Sequence, residues 1–530
     1  MEKISKITII STESLALNGP RMLSSYLKKH GFFVQLISLS TFNDNFPANI
    51  LDRITKLSEG SLLICFSCMS VTSRKLSQVI RHLKPLGIPM VWGGIHATLN
   101  PEECLYHVDI VCRGEGEEAL LDLAQALKNK ERITKIKNLW VKQDGRIYKN
   151  DVRHLISDID KLPFPDYNSE SQYVLVDGRL EPFHERHLSY GEHNLSNILL
   201  AVMKCFITAH TIRGCPYNCK YCSNHELKAI YKNKGVFVRQ RSAKSVAYEI
   251  SHLKQKFPSL QFVWFTDDDF FARSSKELSS FSRIYREKAR LPFMCYVTPP
   301  TFSEEKLKLL LQAGLYIIEV GVQTGDQEFN QQVYNRKYKD GIVLNIGKIS
   351  RKYTPPMFPP VYQIMYMNPL EKESNILHTI KLLRSLPRPF FLKPFNIVFF
   401  PGSAMHRQAE SILGKGLDFK DSYLTDYLDT FSHMPLKEDN SLYLNVILHY
   451  MARRNTKHRS GIIPNFMLGF LTSERVIAFN RRFSFFTRLM LLIPTLTNIF
   501  WITPKKYKGK CLEVILMAER MKNFFRRRLA

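Results

Sequence analysis

Arg213-Gly214-Cys215-Pro216-Tyr217-Asn218-Cys219-Lys220-Tyr221-Cys222 sets three cysteines within eight residues, in a C-x3-C-x2-C pattern. Iron–sulfur clusters take cysteine thiolates as ligands. A cluster with only three protein ligands keeps one iron open to an outside ligand, which suits chemistry better than storage. Zinc is the competing reading, but it prefers four protein ligands in paired spacings and no second pair follows nearby, so His225 would have to be the fourth. Ten cysteines in 530 residues are too few for a disulfide scaffold.

Toward the N-terminus, residues 1–130 alternate β-rich runs with helical patterns. The strand candidates are Lys6–Ser11, Phe33–Ser38, Leu62–Ser67, Pro89–Trp92 and Asp109–Cys112, with helices expected near 17–30, 49–58, 72–86 and 117–129. This is a doubly wound α/β pattern with a parallel sheet, and ligands of such sheets bind beyond the carboxyl ends of the strands. Three of those loops stand out. One is Ser67-Cys68-Met69-Ser70-Val71-Thr72, whose Ser70 and Thr72 offer hydroxyls. The second is Gly93-Gly94-Ile95-His96, and the third is Gly114-Glu115-Gly116-Glu117. Glycines there permit left-handed turns and close backbone approach. Any one of them reads equally well as a turn or helix cap, but three at successive strand ends argue for a ligand crevice. No G-x-G-x-x-G follows the first strand, so a nicotinamide or flavin dinucleotide is not expected. Cys65, Cys68, Cys104 and Cys112 read as buried structural thiols.

Beyond the cysteine loop, apolar runs again alternate with helical stretches, as in a partial (β/α) barrel. Phe262–Phe265 ends in Thr266-Asp267-Asp268-Asp269, Met294–Val297 follows, and Ile317–Val322 ends in Gln323-Thr324-Gly325. Val361–Met367 and Ile397–Phe400 complete the set. In such barrels the reactive groups sit at the C-terminal ends of the strands.

At these residues the chain resembles the radical S-adenosylmethionine superfamily, whose C-x3-C-x2-C loop binds a 4Fe-4S cluster and carries an aromatic residue, here Tyr221, before the third cysteine. With its G-G-x-H and G-E-G-E turns it is similar to the cobalamin-binding branch, over roughly residues 1–410. The resemblance implies an N-terminal Rossmann-like cobalamin-binding domain (1–150), a linker (151–204), a radical SAM barrel with the cluster (205–410) and a basic, mainly helical C-terminal region (411–530). It assigns Cys215, Cys219 and Cys222 to the cluster. Asp267, Asp268 and Asp269 fall near the amino end of S-adenosylmethionine, and Glu319, Gln323 and Thr324 near its ribose. The usual Gly-Gly-Glu and Glu-Ser patterns are missing here, and three adjacent acids also read as a solvated strand end. Ser70, Thr72, Gly93, Gly94, His96, Gly114, Glu115 and Gly116 fall on the cobalamin side. The D-x-H-x-x-G loop that replaces the lower axial base is missing from residues 1–150, so cobalamin is expected without a histidine ligand.

The implied chemistry joins a 5′-deoxyadenosyl radical to methylcobalamin, giving a methyltransferase acting on an unactivated carbon or phosphorus centre. Rearrangement or cyclisation with the same cofactors is the alternative. Further alternatives are a methylthiolating tRNA enzyme with a second cluster on the N-terminal cysteines, and a non-catalytic cobalamin or redox sensor. An electron donor such as a flavodoxin or ferredoxin is implied, and the substrate is expected to be a small molecule or lipid.

Composition bounds these readings. Hydrophobic residues make up 45% and charged residues 23%, too apolar for a disordered chain. The net charge is +27, and residues 451–530 alone hold 17 Lys+Arg against 3 Asp+Glu. The excess is therefore a tail property and does not make nucleic acid the expected substrate of the whole enzyme. Basic aromatic segments at Arg481-Arg482-Phe483-Ser484-Phe485-Phe486 and Phe524-Phe525-Arg526-Arg527-Arg528 fit a helix lying on anionic lipid, a nucleic-acid contact or a solvated helical cap. The uncharged run Leu489 to Ile502 is 14 residues, short of the ~20 a spanning helix needs. The N-terminus lacks a secretory pattern, so a reducing cytoplasm is the expected location, with the lipid reading of the tail adding the option of peripheral association at the inner face of the membrane.

Overall fold

The computed structural model of the chain describes residues 5–12, 18–40, 45–188, 203, 205–338, 340–414, 443–448, 451 and 465–483. In its N-terminal part, strands β1 (Lys6–Ser11), β2 (Phe33–Ser38), β3 (Leu63–Ser67), β4 (Met90–Gly93) and β5 (Ile110–Cys112) alternate with helices. These helices are α1 (Asn18–Lys29), α2 (Ala48–Ser58), α3 (Ser73–Leu83), α4 (Gly94–Leu99), α5 (Pro101–Cys104) and α6 (Glu117–Asn129). The five strands pair in parallel in the order β5-β4-β3-β1-β2. Alternating side chains feed two apolar layers. Ile7, Ile9, Cys65 and Val91 pack on one face, and Ile10, Ile64, Phe66 and Trp92 on the other.

The sheet is wider than the alternating pattern predicted. An antiparallel hairpin, β6 (Leu139–Gln143) and β7 (Arg146–Lys149), extends it beyond β5. A second hairpin, β8 (Gln172–Val176) and β9 (Arg179–Pro182), adds to β2 on the opposite edge. Part of the expected linker is therefore sheet, held from α1 by Arg21, whose guanidinium donates to Gln172 at 2.5 Å and lies 4.2 Å over the Tyr167 ring.

The second body is a six-stranded parallel sheet. Its strands, in order, are β10 (Phe206–Ala209), β13 (Phe262–Phe265), β14 (Phe293–Val297), β15 (Leu315–Gln323), β16 (Val361–Tyr366) and β17 (Phe391–Asn396). A short pair, β11 (Ile212–Arg213) and β12 (Arg239–Gln240), flanks the cysteine loop. Val263, Phe265, Ile318 and Val320 point out to the helical layer, whereas Trp264, Met294, Ile317 and Val361 point in. This is the curled, open barrel expected from the sequence, with one correction. The last strand is Phe391–Asn396, and 397–400 is loop. Lys393 and Pro394 disguised it, but an edge strand tolerates proline and Lys393 has a buried partner inside the barrel.

Of the C-terminal region, 443–448, Asn465–Leu471 and Glu474–Phe483 are helical and contribute Tyr443, Leu444, Leu468, Val476 and Ile477 to the barrel's outer core. The segments 484–486 and 524–528 and the apolar run 489–502 lie outside the described residues. Among the described residues, no helix is long and apolar enough to cross a membrane.

Candidate functional site

The carboxyl ends of β3, β4 and β5 face the mouth of the barrel across a cavity of about 550 Å³. One wall includes Gly93, Gly94, Gly114, Glu115 and Gly116, and the other includes Gly214, Asn224, Thr266 and Asp268. Direct contacts fix the two bodies on either side of it. Asn18 donates to Thr208 O at 3.0 Å, and Asn100 donates to Pro401 O at 3.0 Å.

The glycine wall is packed too closely from behind to take side chains at Gly94 and Gly114. Gly94 has φ +85°, and a Cβ there would lie 2.9 Å from Ser67 Oγ; Gly114 has φ +79°, and its Cβ would lie 1.9 Å from the Tyr231 hydroxyl. Thr98 bridges the two turns, donating to Gly94 O at 2.8 Å and accepting from Gly114 N at 3.0 Å. Backed by Ile9, Phe66 and Val91, this wall is largely apolar, which suits a corrin edge. Ser70, Thr72 and His96 are absent from it, a correction to the expected cobalamin contacts. His96 is buried with Nδ1 3.1 Å from Ser70 Oγ and Nε2 3.6 Å from Glu103, while Thr72 accepts from Thr12 at 2.8 Å. The helical twist of α4, which starts at Gly94, carries His96 to the interior side, so the hydroxyl of Ser70 serves the fold.

Glu115 lines the cavity, but its carboxylate is already engaged. Arg239 holds it through two bonds, at 2.7 and 3.0 Å, and Arg213 stands 3.2 Å away and also pairs with Glu117. Burial opposes ionisation of Glu115, yet the Arg239 hydrogen bonds and the two positive charges outweigh it and hold the carboxyl below its usual range. The backbone N–H of Glu115 donates to Tyr231 at 2.7 Å. Two arginines and a tyrosine from the barrel thus clamp the second glycine turn, and Arg213 lies two residues before Cys215. Arg239 and Tyr231 carried no motif; only the fold brings them from more than 100 residues away.

The loop 215–222 is pinned through its carbonyls. Lys228 donates to Pro216 O at 2.9 Å, Asn335 to Asn218 O at 2.8 Å, and Met405 N to Lys220 O at 3.1 Å. Asn224 reaches Cys222 Sγ at 3.6 Å and Arg336 reaches Cys219 Sγ at 4.0 Å. Burial, with Asp268 adding to it, pushes the Cys222 thiol up to about 11. Among the described residues no three such side chains converge on a point that would hold one metal ion. A cubane asks something else of its ligands, since each cysteine takes a different iron. Three thiols on one tight loop, with hydrogen-bond donors beside two of the sulfurs, fit that group.

The three acids separate. Asp267 is fully buried and accepts from Thr211 N, from Thr211 Oγ1 at 2.5 Å and from Ile212 N at 2.7 Å, with Arg273 3.5 Å away. It anchors the backbone that leads into the cysteine loop. Asp269 accepts from Thr301 at 2.8 Å and from Phe271 N at 3.1 Å, and burial pushes it up to about 6 against those bonds. Only Asp268 is exposed to the cavity, where Asn224 donates to it at 2.9 Å. His210, which lines the same cavity 3.8 Å from Asp267, went unremarked in the sequence.

At the end of β15 the expected ribose contacts also divide. Thr324 is buried against Thr379 at 3.0 Å and faces the helical layer. Glu319 faces the lumen but is bonded to Gln363 at 2.5 Å and paired with Lys393 at 3.1 Å. Gln323 ends the strand, itself buried and held at φ +73° where the β15–β16 register shifts. Beside it is Arg336, which the sequence reading missed. Its guanidinium donates to Tyr221 OH at 2.6 Å and Gly321 O at 2.7 Å, and has no acidic partner among the described residues.

The N-terminal cysteines fall on opposite faces of the sheet, Cys65 and Cys112 in one layer and Cys68 and Cys104 in the other. They cannot jointly bind a second cluster, which removes the methylthiolating alternative's central requirement.

A glycine-lined, largely apolar crevice facing a three-cysteine loop at the mouth of an open barrel is the arrangement a two-cofactor radical enzyme needs. Residues 15–124 match the B12 binding domain and residues 210–383 the Radical SAM superfamily. The chain belongs to the cobalamin-binding branch of the radical S-adenosylmethionine enzymes, whose cofactors are a 4Fe-4S cluster, S-adenosylmethionine and cobalamin. It is 26% identical over 239 residues to an uncharacterized methyltransferase of Pyrococcus horikoshii, covering 44% of this chain and 45% of that protein. It is 23% identical over 320 residues to the anaerobic magnesium-protoporphyrin IX monomethyl ester cyclase of Rubrivivax gelatinosus, covering 58% and 51%. The chain thus spans about half the length of these curated relatives. Among solved structures, the radical S-adenosylmethionine methyltransferase TsrM from Kitasatospora setae has the same fold, with a TM-score of 0.57 at 16% identity over 77% of this chain and 76% of that one. The cobalamin-dependent radical enzyme OxsB matches with a TM-score of 0.54 at 15% identity over 73% and 53%.

Proposed function

We propose that the chain is a methyltransferase that places a methyl group on an unactivated carbon or phosphorus centre. The observation that carries this reading is the single cavity bounded by both the glycine turns and the residues flanking the cluster loop. When bound, the cluster and S-adenosylmethionine supply hydrogen abstraction and cobalamin supplies the methyl group. Everything else is positioning by this chain's own side chains. Cys215, Cys219 and Cys222 hold the cluster. Asp268 is the acid placed to accept the amino group of S-adenosylmethionine, Gln323 faces its ribose, and Arg336, with no acidic partner among the described residues, offers its cation to the carboxylate. Gly93, Gly94, Gly114 and Gly116 seat the corrin. Glu115 stabilises this wall through Arg213 and Arg239. An electron donor of the flavodoxin or ferredoxin type would reduce the cluster.

Methyl transfer is favoured by the methyltransferase relative, and cyclisation by the cyclase relative. The deciding experiment supplies S-adenosylmethionine with a deuterated methyl group to the anaerobically reconstituted enzyme, with cell extract as the substrate source. Deuteromethyl label in a product other than the spent cofactor supports methyl transfer. Release of 5′-deoxyadenosine with an unlabelled product overturns it in favour of rearrangement or cyclisation.

A further inference from the structure

Helices α15 (Asn465–Leu471) and α16 (Glu474–Phe483) have two faces, and only one of them belongs to the barrel. On the inner face, Leu468, Leu471, Val476 and Ile477 join the outer core, Tyr443 donates to Leu471 O at 2.8 Å, and Arg481 pairs with Glu373 at 2.9 Å. The outer face carries what a solvated helix would avoid. Met467 and Phe470, one turn apart on α15, are 41% and 59% exposed, and Phe479 on α16 is 47% exposed. Arg475 and Arg482, also exposed, stand one turn before and one turn after Phe479. Other exposed large apolar side chains among the described residues, such as Phe33, Tyr106, Val236 and Tyr248, are scattered singly and need no explanation.

We propose that this outer face docks the protein on an anionic lipid bilayer. The three apolar side chains would enter the headgroup–acyl boundary while Arg475 and Arg482 meet lipid phosphates, the division of labour of an interfacial helix. Charge and chain length point to the same occupant. The last 80 residues carry 17 Lys+Arg against 3 Asp+Glu, and the stretch that continues from α16, Phe483 to Ile502, is apolar with Arg488 as its single charge. Phenylalanine and arginine also suit a nucleic acid, but the apolar stretch that follows Phe483 in sequence favours hydrocarbon over a phosphate track. The inference is independent of the reaction the enzyme performs.

The test is flotation of the full chain with phosphatidylglycerol–phosphatidylcholine vesicles, against phosphatidylcholine vesicles alone and against single-stranded RNA. The protein is expected to float with the anionic vesicles and to lose much of that binding between about 0.1 M and about 0.5 M salt. Phe470→Ser with Phe479→Ser, and separately Arg475→Gln with Arg482→Gln, should each weaken partitioning about tenfold or more. Iron content and the far-ultraviolet spectrum of each variant check that the fold is kept. No flotation, flotation unchanged by both double variants, or RNA binding in its place overturns the proposal.

Discussion

On the N-terminal wall of the crevice Gly93, Gly94, Gly114 and Gly116 contribute backbone and no side chain, whereas the barrel wall facing them carries imidazole, carboxylate, amide and guanidinium groups from His210, Asp268, Asn224, Arg213 and Arg239. The first wall works by shape, since a Cβ added at Gly94 or Gly114 would collide with Ser67 or Tyr231 and displace the turn. The second works by charge, and each polar group there is held by another. Substitutions on the two sides should therefore fail differently. A glycine variant should lose the corrin while keeping its cluster; a variant of the cysteine loop should lose the cluster while leaving the glycine turns intact, because their clamp is made by Arg213, Tyr231 and Arg239.

The largest effect is expected at the loop. Cys215→Ala should abolish the cluster, dropping iron from about four per chain to near zero with loss of charge-transfer absorbance. Cobalamin binding, measured separately by its visible spectrum, should survive; joint loss would mean that the two walls are not independent. Next comes Asp267→Ala, which would strand the buried Arg273 and free the backbone of Thr211 and Ile212. Removing one partner of a buried pair costs about 3–5 kcal/mol, to be read from denaturant unfolding. The loop should then lose its cluster as a consequence of its anchor.

Which of these features the sequence revealed follows from how local each one is. The cysteine loop and the two glycine turns are short strings whose residue types and spacing are visible locally, although the contacts that hold them come from far along the chain. Asp267, Asp268 and Asp269 look alike as a string, but successive residues leaving a strand point in different directions, so one anchors, one meets the cavity and one caps a turn. Thr324 and His96 sit in the right loops with their side chains turned into the packing. Arg336 and Arg239 gave no signal because their partners are more than 100 residues away. The strand Phe391–Asn396 was hidden by Lys393, whose reason for being there is Glu319.

Asp269 sharpens the electrostatic half of the comparison. Burial, opposed by Thr301, raises its pKa from 3.8 to about 6. The folded state therefore binds the proton more tightly than the unfolded chain. That contribution is full below the ordinary value and is lost as pH rises through about 6. Asp269→Asn fixes the neutral form, so the stability of wild type relative to this variant should fall by about 3 kcal/mol between about pH 3.5 and about pH 7. Urea unfolding across that range checks it, and a constant difference would mean that Asp269 is not desolvated. Gly114→Ala tests the other wall. A left-handed residue costs about 1–3 kcal/mol in strain, but here the new Cβ also meets Tyr231. Gly145→Ala is the control, with φ +71° and nothing within 4 Å. Only Gly114→Ala should weaken corrin binding, as judged by absorbance titration.

The smallest expected effect is also the most selective. Asp268 is the one acid of its triplet exposed to the cavity, and its single resolved partner is Asn224. Asp268→Asn removes a charge without stranding a buried cation, so stability and iron content should be near those of wild type. What it should lose is the attraction for an ammonium group, a charge-assisted bond whose removal costs about 1.5 kcal/mol, or roughly tenfold in affinity for S-adenosylmethionine. Equilibrium binding to the cluster-loaded protein measures this directly, and Asp268→Glu should recover part of it. If Asp268→Asn unfolds the protein as Asp267→Ala does, the three acids form one structural unit. The proposed recognition of the cofactor would then rest on Arg336 and Gln323, which lie behind the crevice lining.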